Sequence, residues 1–184
     1  MLKYTGFRSR KGISMWKLRK KYIDNLYVDL GSHVIVTLAI GVFFYAETRS
    51  FSLFMVCVLG GIFIDLDHIY DCVKYHGRGF TLKDFFAGNY YIRGCKLYIP
   101  AHSWELVTLL FIAGCLSGRL WLFALPASMG GHLIVDHLVH WKRPYQYFLA
   151  FRWKFGFDAF LLDPTFALER EEYLRERREH YNYY

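Results

Sequence analysis

The chain has 184 residues, enough for one domain but not comfortably for two. Hydrophobic residues make up 54% of it and aromatic residues 20%, yet the mean hydropathy is only +0.14, because charged segments separate the apolar ones. The formal net charge of +7 indicates an anionic partner. The apolar runs are too long for most nucleic-acid modules, so we expect a phospholipid surface as that partner and no nucleic acid.

Residues 1–29 form a basic leader in which aromatic residues are interleaved with lysine and arginine. This pattern is typical of an amphipathic segment at a membrane interface, and nucleic-acid binding is its weaker alternative. The first apolar run begins near Leu30 and has no clear small-x-small cleavage site where it ends. It therefore reads as a signal anchor that stays in the membrane.

Four apolar stretches follow the leader, and each approaches the roughly 20 residues that a membrane-spanning helix needs. They cover about residues 30–46, 51–70, 101–116 and 120–140. Short linkers at 47–50 and 117–119 join them into two helical hairpins. The sequence therefore predicts an all-α, polytopic membrane bundle of about four transmembrane helices, with further interfacial and C-terminal helices, in a single domain over 1–184.

Two polar segments complete the chain, a loop at 71–100 and a C-terminal segment at 141–184 whose part 145–162 is rich in Phe and Trp. That aromatic part lies in the interface or packs against the bundle. Lys and Arg number eight before residue 30, five in the loop and eight after residue 141, but only two in the hairpin linkers. By the positive-inside rule both termini are cytoplasmic, in a multi-pass protein of the plasma (inner) membrane.

The four cysteines show no CxxC spacing, so no disulfide or zinc-thiolate framework is expected. Cys57 and Cys115 lie within apolar runs. We interpret them as free thiols that pack like small hydrophobic side chains.

Ionisable side chains lie near one end of each apolar stretch, although such groups are costly in a membrane and mark candidate functional sites. The predicted orientation puts all these ends at the same cytoplasmic depth, so their side chains can form one site. The residues are His33; Asp65, Asp67 and His68; His102 and Glu105; and His132, Asp136, His137 and His140. The alternative is a set of separately packed histidines and a polar helix cap that faces water.

Helical spacing relates these residues to each other. Residues three or four positions apart share a helix face. The pairs are Asp65 with His68, His102 with Glu105, and His132 with Asp136. His140 lies four residues after Asp136 and continues the same face. Asp67 does not share a face with Asp65, so it needs a frayed helix end or acts on a ligand from behind. Asp29 lies one turn before His33 and could orient it. His137 and His140 are second-tier candidates that could instead be interfacial.

Imidazole and carboxylate donors together suit zinc first, and manganese or iron as alternatives. Their number allows one or two divalent ions. The predicted metal ligands are His33, Asp65, His68, His102, His132 and Asp136. Such a site commonly lowers the pKa of bound water and polarises a phosphoryl or carbonyl oxygen. Asp67 or Glu105, if not bound to metal, could act as general base.

The sequence resembles the membrane-bound metal-dependent hydrolase family of small bacterial and archaeal inner-membrane proteins. The family pattern has an early membrane His, an Asp-x-Asp-His at a helix end, an Arg-Gly-x-Thr-His-Ser stretch and a later His-x-x-x-Asp. Over about residues 31–140 the chain offers His33, Asp65-Leu66-Asp67-His68, Arg78-Gly79-Phe80-Thr81 and His132-Leu133-Ile134-Val135-Asp136. It departs from the pattern where Leu82 follows Thr81. The His-Ser pair comes later as His102-Ser103, and the resemblance implies that His102 takes that role.

Basic residues beside the proposed site could hold a substrate phosphate, with arginine as a bidentate clamp. They are His76, Arg78, Lys142 and Arg143. The alternative is that they only bind lipid head groups. We expect a hydrolase that acts on a lipid or lipid-linked substrate at the cytoplasmic head-group layer, as a phosphate esterase or phosphodiesterase with Arg78 among the catalytic residues.

Three other functions stay open at this stage. One is a lipid amide hydrolase, a deacylase or deacetylase. A second is a metal or proton transporter, which the apolar segments 38–44 and 106–112 disfavour because they offer no polar path across the membrane. The third is a scaffold with a structural metal.

Overall fold

The computed structural model describes residues 26–76, 96–139, 145–162 and 171. Its helices are α1 (Leu26–Thr48), α2 (Phe51–Phe63), α3 (Leu66–His76), α4 (Trp104–Ser117), α5 (Trp121–Val139), α6 (Leu149–Lys154) and α7 (Ala159–Leu162). These residues include no strand, only an isolated antiparallel bridge between Lys96 and Asp158. The all-α prediction is confirmed.

Capping residues mark the starts of α2 and α4 and the end of α4. Ser50 precedes α2, and its side chain accepts a hydrogen bond from the Leu53 N–H at 3.4 Å. Ser103 does the same for α4 through the Leu106 N–H. Gly118 ends α4 with a φ of 66°, a left-handed conformation that glycine adopts without a steric penalty. The chain can therefore reverse direction within a few residues after α1 and after α4.

Helix α5 is the centre of the bundle and packs against α1, α2 and α4, while α1 also packs against α2. Small residues allow this close approach. A Cβ atom added to Gly61 would lie 2.3 Å from Thr37 Oγ1 and 2.5 Å from Ser128 Oγ. Three helices, α1, α2 and α5, thus meet at Gly61 with no space for a side chain.

The outer faces of the long helices are apolar and exposed, whereas the polar residues considered below lie inside. Two stretches, Leu30–Thr48 and Phe51–Asp71, are long and apolar enough to cross a membrane. Only 17% and 22% of their most apolar windows are buried in the protein, whereas the core helix of a soluble protein would be mostly buried. This is weak evidence for a membrane location. Helix α4 is also apolar but has only 14 residues.

The structure differs from the predicted boundaries in two places. Helix α1 begins at Leu26, inside the predicted leader, because residues 26–28 are themselves apolar. The second apolar stretch is not one regular helix: α2 ends at Phe63, a turn at residues 64–65 follows, and α3 continues to His76, into the predicted loop.

Part of the aromatic segment 145–162 packs against the bundle, which is one of its two expected placements. Tyr147 is buried in a core cluster with Ile64, Met129 and Leu133. The Trp104 N–H also donates to the Tyr147 carbonyl at 3.0 Å, so the segment is joined to the start of α4.

Candidate metal centre

Six predicted ligands come together at one end of the bundle, in two adjoining groups of three. Within each group the possible donor atoms all lie within 4.8 Å of one another. The inner group consists of His33, His132 and Asp136, and the outer group consists of Asp65, His68 and His102. These buried and half-buried groups could hold a metal ion.

Helices α1 and α5 build the inner group. His132 and Asp136 lie one turn apart on α5, and His132 Nε2 is 3.7 Å from Asp136 Oδ2. His33 on α1 stacks on the His132 ring with 3.9 Å between centroids. Its Nε2 lies 3.4 Å from Asp136 Oδ1. All three residues are buried.

Asp65 in the turn between α2 and α3, His68 in the first turn of α3 and His102 just before α4 build the outer group. Asp65 Oδ1 lies 3.2 Å from His102 Nε2 and 3.8 Å from His68 Nε2. The same oxygen is 3.4 Å from His132 Nε2 of the inner group. The Asp65 side chain is 40% exposed, so the centre opens to its surroundings at this residue.

Two of the histidines are oriented by hydrogen bonds from Nδ1, the ring nitrogen that does not face the other donors. His102 Nδ1 donates to Asp67 Oδ1 at 2.9 Å, and His132 Nδ1 donates to the Gly61 carbonyl at 2.8 Å. An imidazole that donates through Nδ1 can present its Nε2 lone pair to a metal ion at the centre. This is the usual arrangement of metal-ligating histidines, with a carboxylate or carbonyl on the other ring nitrogen.

The arrangement needs a positive charge at its centre. The Nε2 lone pairs of His102 and His132 both face Asp65 Oδ1, and lone pairs repel carboxylate oxygens unless a cation or proton lies between them. The six His–Asp donor contacts shorter than 4 Å measure 3.2–3.8 Å. Ligands bound tetrahedrally at 2.0–2.1 Å would lie about 3.4 Å apart, so the donor spacing fits a metal ion.

The helix break at residues 64–65 explains how Asp65 and Asp67 serve one site. Asp65 points a carboxylate oxygen at the centre, while Asp67 approaches His102 from the opposite side of its ring. The second oxygen of Asp67 accepts from the N–H groups of Ala101 and His102 at 2.8 and 3.2 Å. Asp67 therefore fixes both the ring and the main chain of His102.

Two residues that sequence reasoning missed hold the segment before α4. Asp71 is buried and its Oδ2 accepts from the N–H groups of Tyr98 and Ile99. Arg152 is buried and donates to the carbonyls of Tyr98, Ile99 and His102. The four-residue spacing of Asp67 and Asp71 was a signal for the first, but no local signal in the sequence links Arg152 to this segment.

Other predicted site residues lie apart from both groups. The Glu105 carboxylate accepts from the N–H groups of Leu149 and Ala150, each at 2.9 Å, at the start of α6. The His137 ring packs beside Tyr147, 5.0 Å between centroids. The side chains of Asp29 and His76, and all of Arg78, His140, Lys142 and Arg143, lie outside the described residues.

Comparison of the chain with known protein families, with characterised proteins and with solved structures finds no match. The resemblance to membrane-bound metal-dependent hydrolases therefore stays a prediction that depends on the motifs alone.

Proposed function

We propose that the protein is an integral-membrane, metal-dependent hydrolase that cleaves a phosphate ester or phosphodiester in a lipid or lipid-linked substrate. One observation carries this proposal: six His and Asp donors from four separate segments converge at one end of an apolar bundle, at the spacing of metal ligands. A site of this kind, partly open at Asp65, suits chemistry better than a closed structural metal.

The proposed membrane arrangement has four spans, formed by α1, by α2 with the start of α3, by α4 and by α5. Both termini and the metal centre then face the cytoplasm, and the hairpin linkers lie outside. The exposed apolar residues of α1, α2 and α4 support this arrangement, as does the charge count of the linkers. The substrate would then be an amphiphile whose head group reaches the centre from the cytoplasmic leaflet.

The donor set fits a divalent ion, with zinc first and manganese or iron as alternatives. When bound, such an ion supplies a Lewis acid and lowers the pKa of a coordinated water. The six residues of the inner and outer groups would hold it. Asp67 and the Gly61 carbonyl would keep His102 and His132 in the required tautomer.

Proton transfer is assigned to Asp65 in this proposal. The two carboxylates expected as general bases are otherwise engaged, since Asp67 holds His102 and its main chain and Glu105 binds the start of α6. Asp65 is the carboxylate that touches the donors through Oδ1 and is also exposed. Its Oδ2 atom is our candidate for the acceptor of the proton released by the attacking water.

Full-length protein in detergent or nanodiscs would test the proposal when incubated with phospholipids and polyprenyl phosphates, with and without a chelator. We expect release of phosphate or a phosphorylated head group that the chelator abolishes and zinc restores. Asp65→Asn should abolish it, whereas Glu47→Gln, at the opposite end of α1, should not. Metal-dependent release of fatty acid or acetate would favour the amide hydrolase, and no metal-dependent turnover would contradict the proposal.

A further inference from the structure

The number of donors at the centre exceeds what one ion of the expected kind takes. A tetrahedral ion takes four ligands, and the two groups offer six. A single six-coordinate ion with the same bond lengths would bring neighbouring donors to about 3.0 Å. The six His–Asp donor contacts shorter than 4 Å measure 3.2–3.8 Å, longer than that spacing, and the donors of each group lie within 4.8 Å of one another.

The donors also divide by chain segment into two sets of three, the usual protein contribution to a metal ion that keeps an open position. Helices α1 and α5 supply one set, and the α2–α3 turn, the start of α3 and the segment before α4 supply the other. The carboxylates connect the sets. Asp65 Oδ1 is 3.4 Å from His132 Nε2, and Asp136 Oδ2 is 3.8 Å from His102 Nε2. Each carboxylate thus touches a histidine of the other set, as bridging carboxylates do.

We infer that the centre is binuclear, with one divalent ion in the inner group, a second in the outer group, and Asp65 and Asp136 shared between them. The two ions would differ in their access to solvent. The inner ligands are all buried, while the Asp65 side chain of the outer group is 40% exposed. The outer ion is therefore the one that exchanges with solvent and meets the substrate.

The net charge of a loaded centre bears on the class of substrate that it binds. This step rests on the proposed function, in which the substrate carries a phosphate. Two divalent ions carry four positive charges, and three nearby carboxylates carry three negative ones: Asp65 and Asp136 at the centre, and Asp67 behind His102. Before a hydroxide binds, the loaded centre then carries a net positive charge, which attracts a phosphate anion more strongly than a neutral amide. Paired ions also suit in-line displacement at phosphorus, since they stabilise both the attacking and the leaving oxygen.

Metal content of the purified full-length protein tests the inference without any substrate. After loading with zinc and gel filtration, elemental analysis should give about two ions per chain. His33→Ala and His68→Ala should each retain about one ion, and the ion left in His68→Ala should resist a mild chelator. His180→Ala, which belongs to neither group, should retain both. One ion in the wild-type protein, lost in both group variants, would overturn the binuclear centre.

A second measurement needs no variant. Wild-type protein loaded with Mn²⁺ should give the electron paramagnetic resonance spectrum of an exchange-coupled pair. A simple six-line spectrum at saturation would show isolated ions and contradict the shared carboxylates. The hydrolase proposal and the binuclear centre can fail separately. If the protein binds one ion but still releases phosphate in a chelator-sensitive way, only the binuclear centre is wrong. If it binds a coupled pair of ions but turns over no lipid, only the hydrolase proposal is wrong.

Discussion

The buried guanidinium of Arg152 donates a hydrogen bond to the main-chain carbonyl of His102 at 2.9 Å. The same guanidinium binds the carbonyls of Tyr98 and Ile99, while Asp71 accepts from their N–H groups. The C-terminal segment therefore clamps the residues that lead to His102. In the proposed centre Nε2 of His102 binds the outer ion, so a residue remote in sequence would position a metal ligand.

Replacing Arg152 should weaken metal binding without touching a ligand. Arg152→Met removes the donor that three main-chain carbonyls share, although the Ile99 carbonyl keeps the His102 N–H at 3.1 Å. Each buried carbonyl that loses its donor costs about 1–3 kcal/mol, and the His102 segment becomes free to move. We expect zinc affinity, measured by competition with a chelating dye, to fall about 10–100-fold. Arg152→Lys should restore it only in part, because one ammonium lacks the planar fork. Lys154→Met, on the same helix but exposed, is the control. Unchanged affinity with lower thermal stability would leave Arg152 a purely structural role.

Gly61 should tolerate no side chain. A Cβ there would lie 2.3 Å from Thr37 Oγ1 and 2.5 Å from Ser128 Oγ, and the Ser128 hydroxyl already donates to the Cys57 carbonyl. Gly61→Ala should lower the free energy of unfolding by about 1–3 kcal/mol. It should also reduce metal content, because the Gly61 carbonyl orients His132. Gly31→Ala meets no atom within 4 Å and should change neither quantity much. Equal melting temperatures for Gly61→Ala and Gly31→Ala would show that α1, α2 and α5 can move apart without a loss of stability, contrary to this prediction.

Sequence reasoning located the metal centre better than it located the parts that support it. Helical spacing and a common membrane depth suffice to bring His33, Asp65, His132 and Asp136 together, because regular helices fix which residues share a face. The turn at residues 64–65 breaks that regularity, so the placement of Asp67 behind His102 could be stated only as an alternative. The role of Arg152 depends on how a distant segment packs, which periodicity does not encode.

Glu105 makes a structural contact that the sequence did not predict, and its role as general base stays a prediction. A carboxylate three residues after His102 was a reasonable general base, but its two oxygens bind the Leu149 and Ala150 N–H groups at the start of α6. Glu105→Gln removes the charge and one acceptor, so we expect a loss of about 1 kcal/mol of stability with metal content unchanged. Urea unfolding and elemental analysis would check this. A turnover loss of several orders of magnitude at normal metal content would restore Glu105 as the base.

The proposed topology predicts that the linker at residues 47–50 is accessible only from outside the cell. Glu47 is exposed at the end of α1 and caps nothing, so a cysteine there should not disturb the fold. In a background with Cys72, Cys95 and Cys115 replaced by alanine, which keeps only the buried Cys57, Glu47→Cys should react with a membrane-impermeant maleimide in intact cells. Labelling only in inverted vesicles would refute the orientation and, with it, the cytoplasmic location of the metal centre.

Arg78 should act on the substrate and not on the metal. It lies outside the described residues, and its assignment comes from the sequence, where it follows the α3 helix that begins beside Asp65 and His68. An arginine there could donate two parallel hydrogen bonds to a phosphate and stabilise the charge that develops as the ester bond breaks. Arg78→Ala should therefore keep its full metal content but lose turnover by a factor on the order of 10–1,000.

Arg78→Lys separates this role from simple lipid attraction. Lysine keeps the charge but lacks the bidentate fork, so it should restore turnover only partly if Arg78 clamps the phosphate, and fully if any cation suffices to attract lipid. Turnover of the identified substrate and zinc content would be measured on the same preparations. If Arg78→Ala turns the substrate over at the wild-type rate, the phosphate clamp is wrong. Amide cleavage then becomes the better candidate, since a neutral amide gives an arginine no anion to hold.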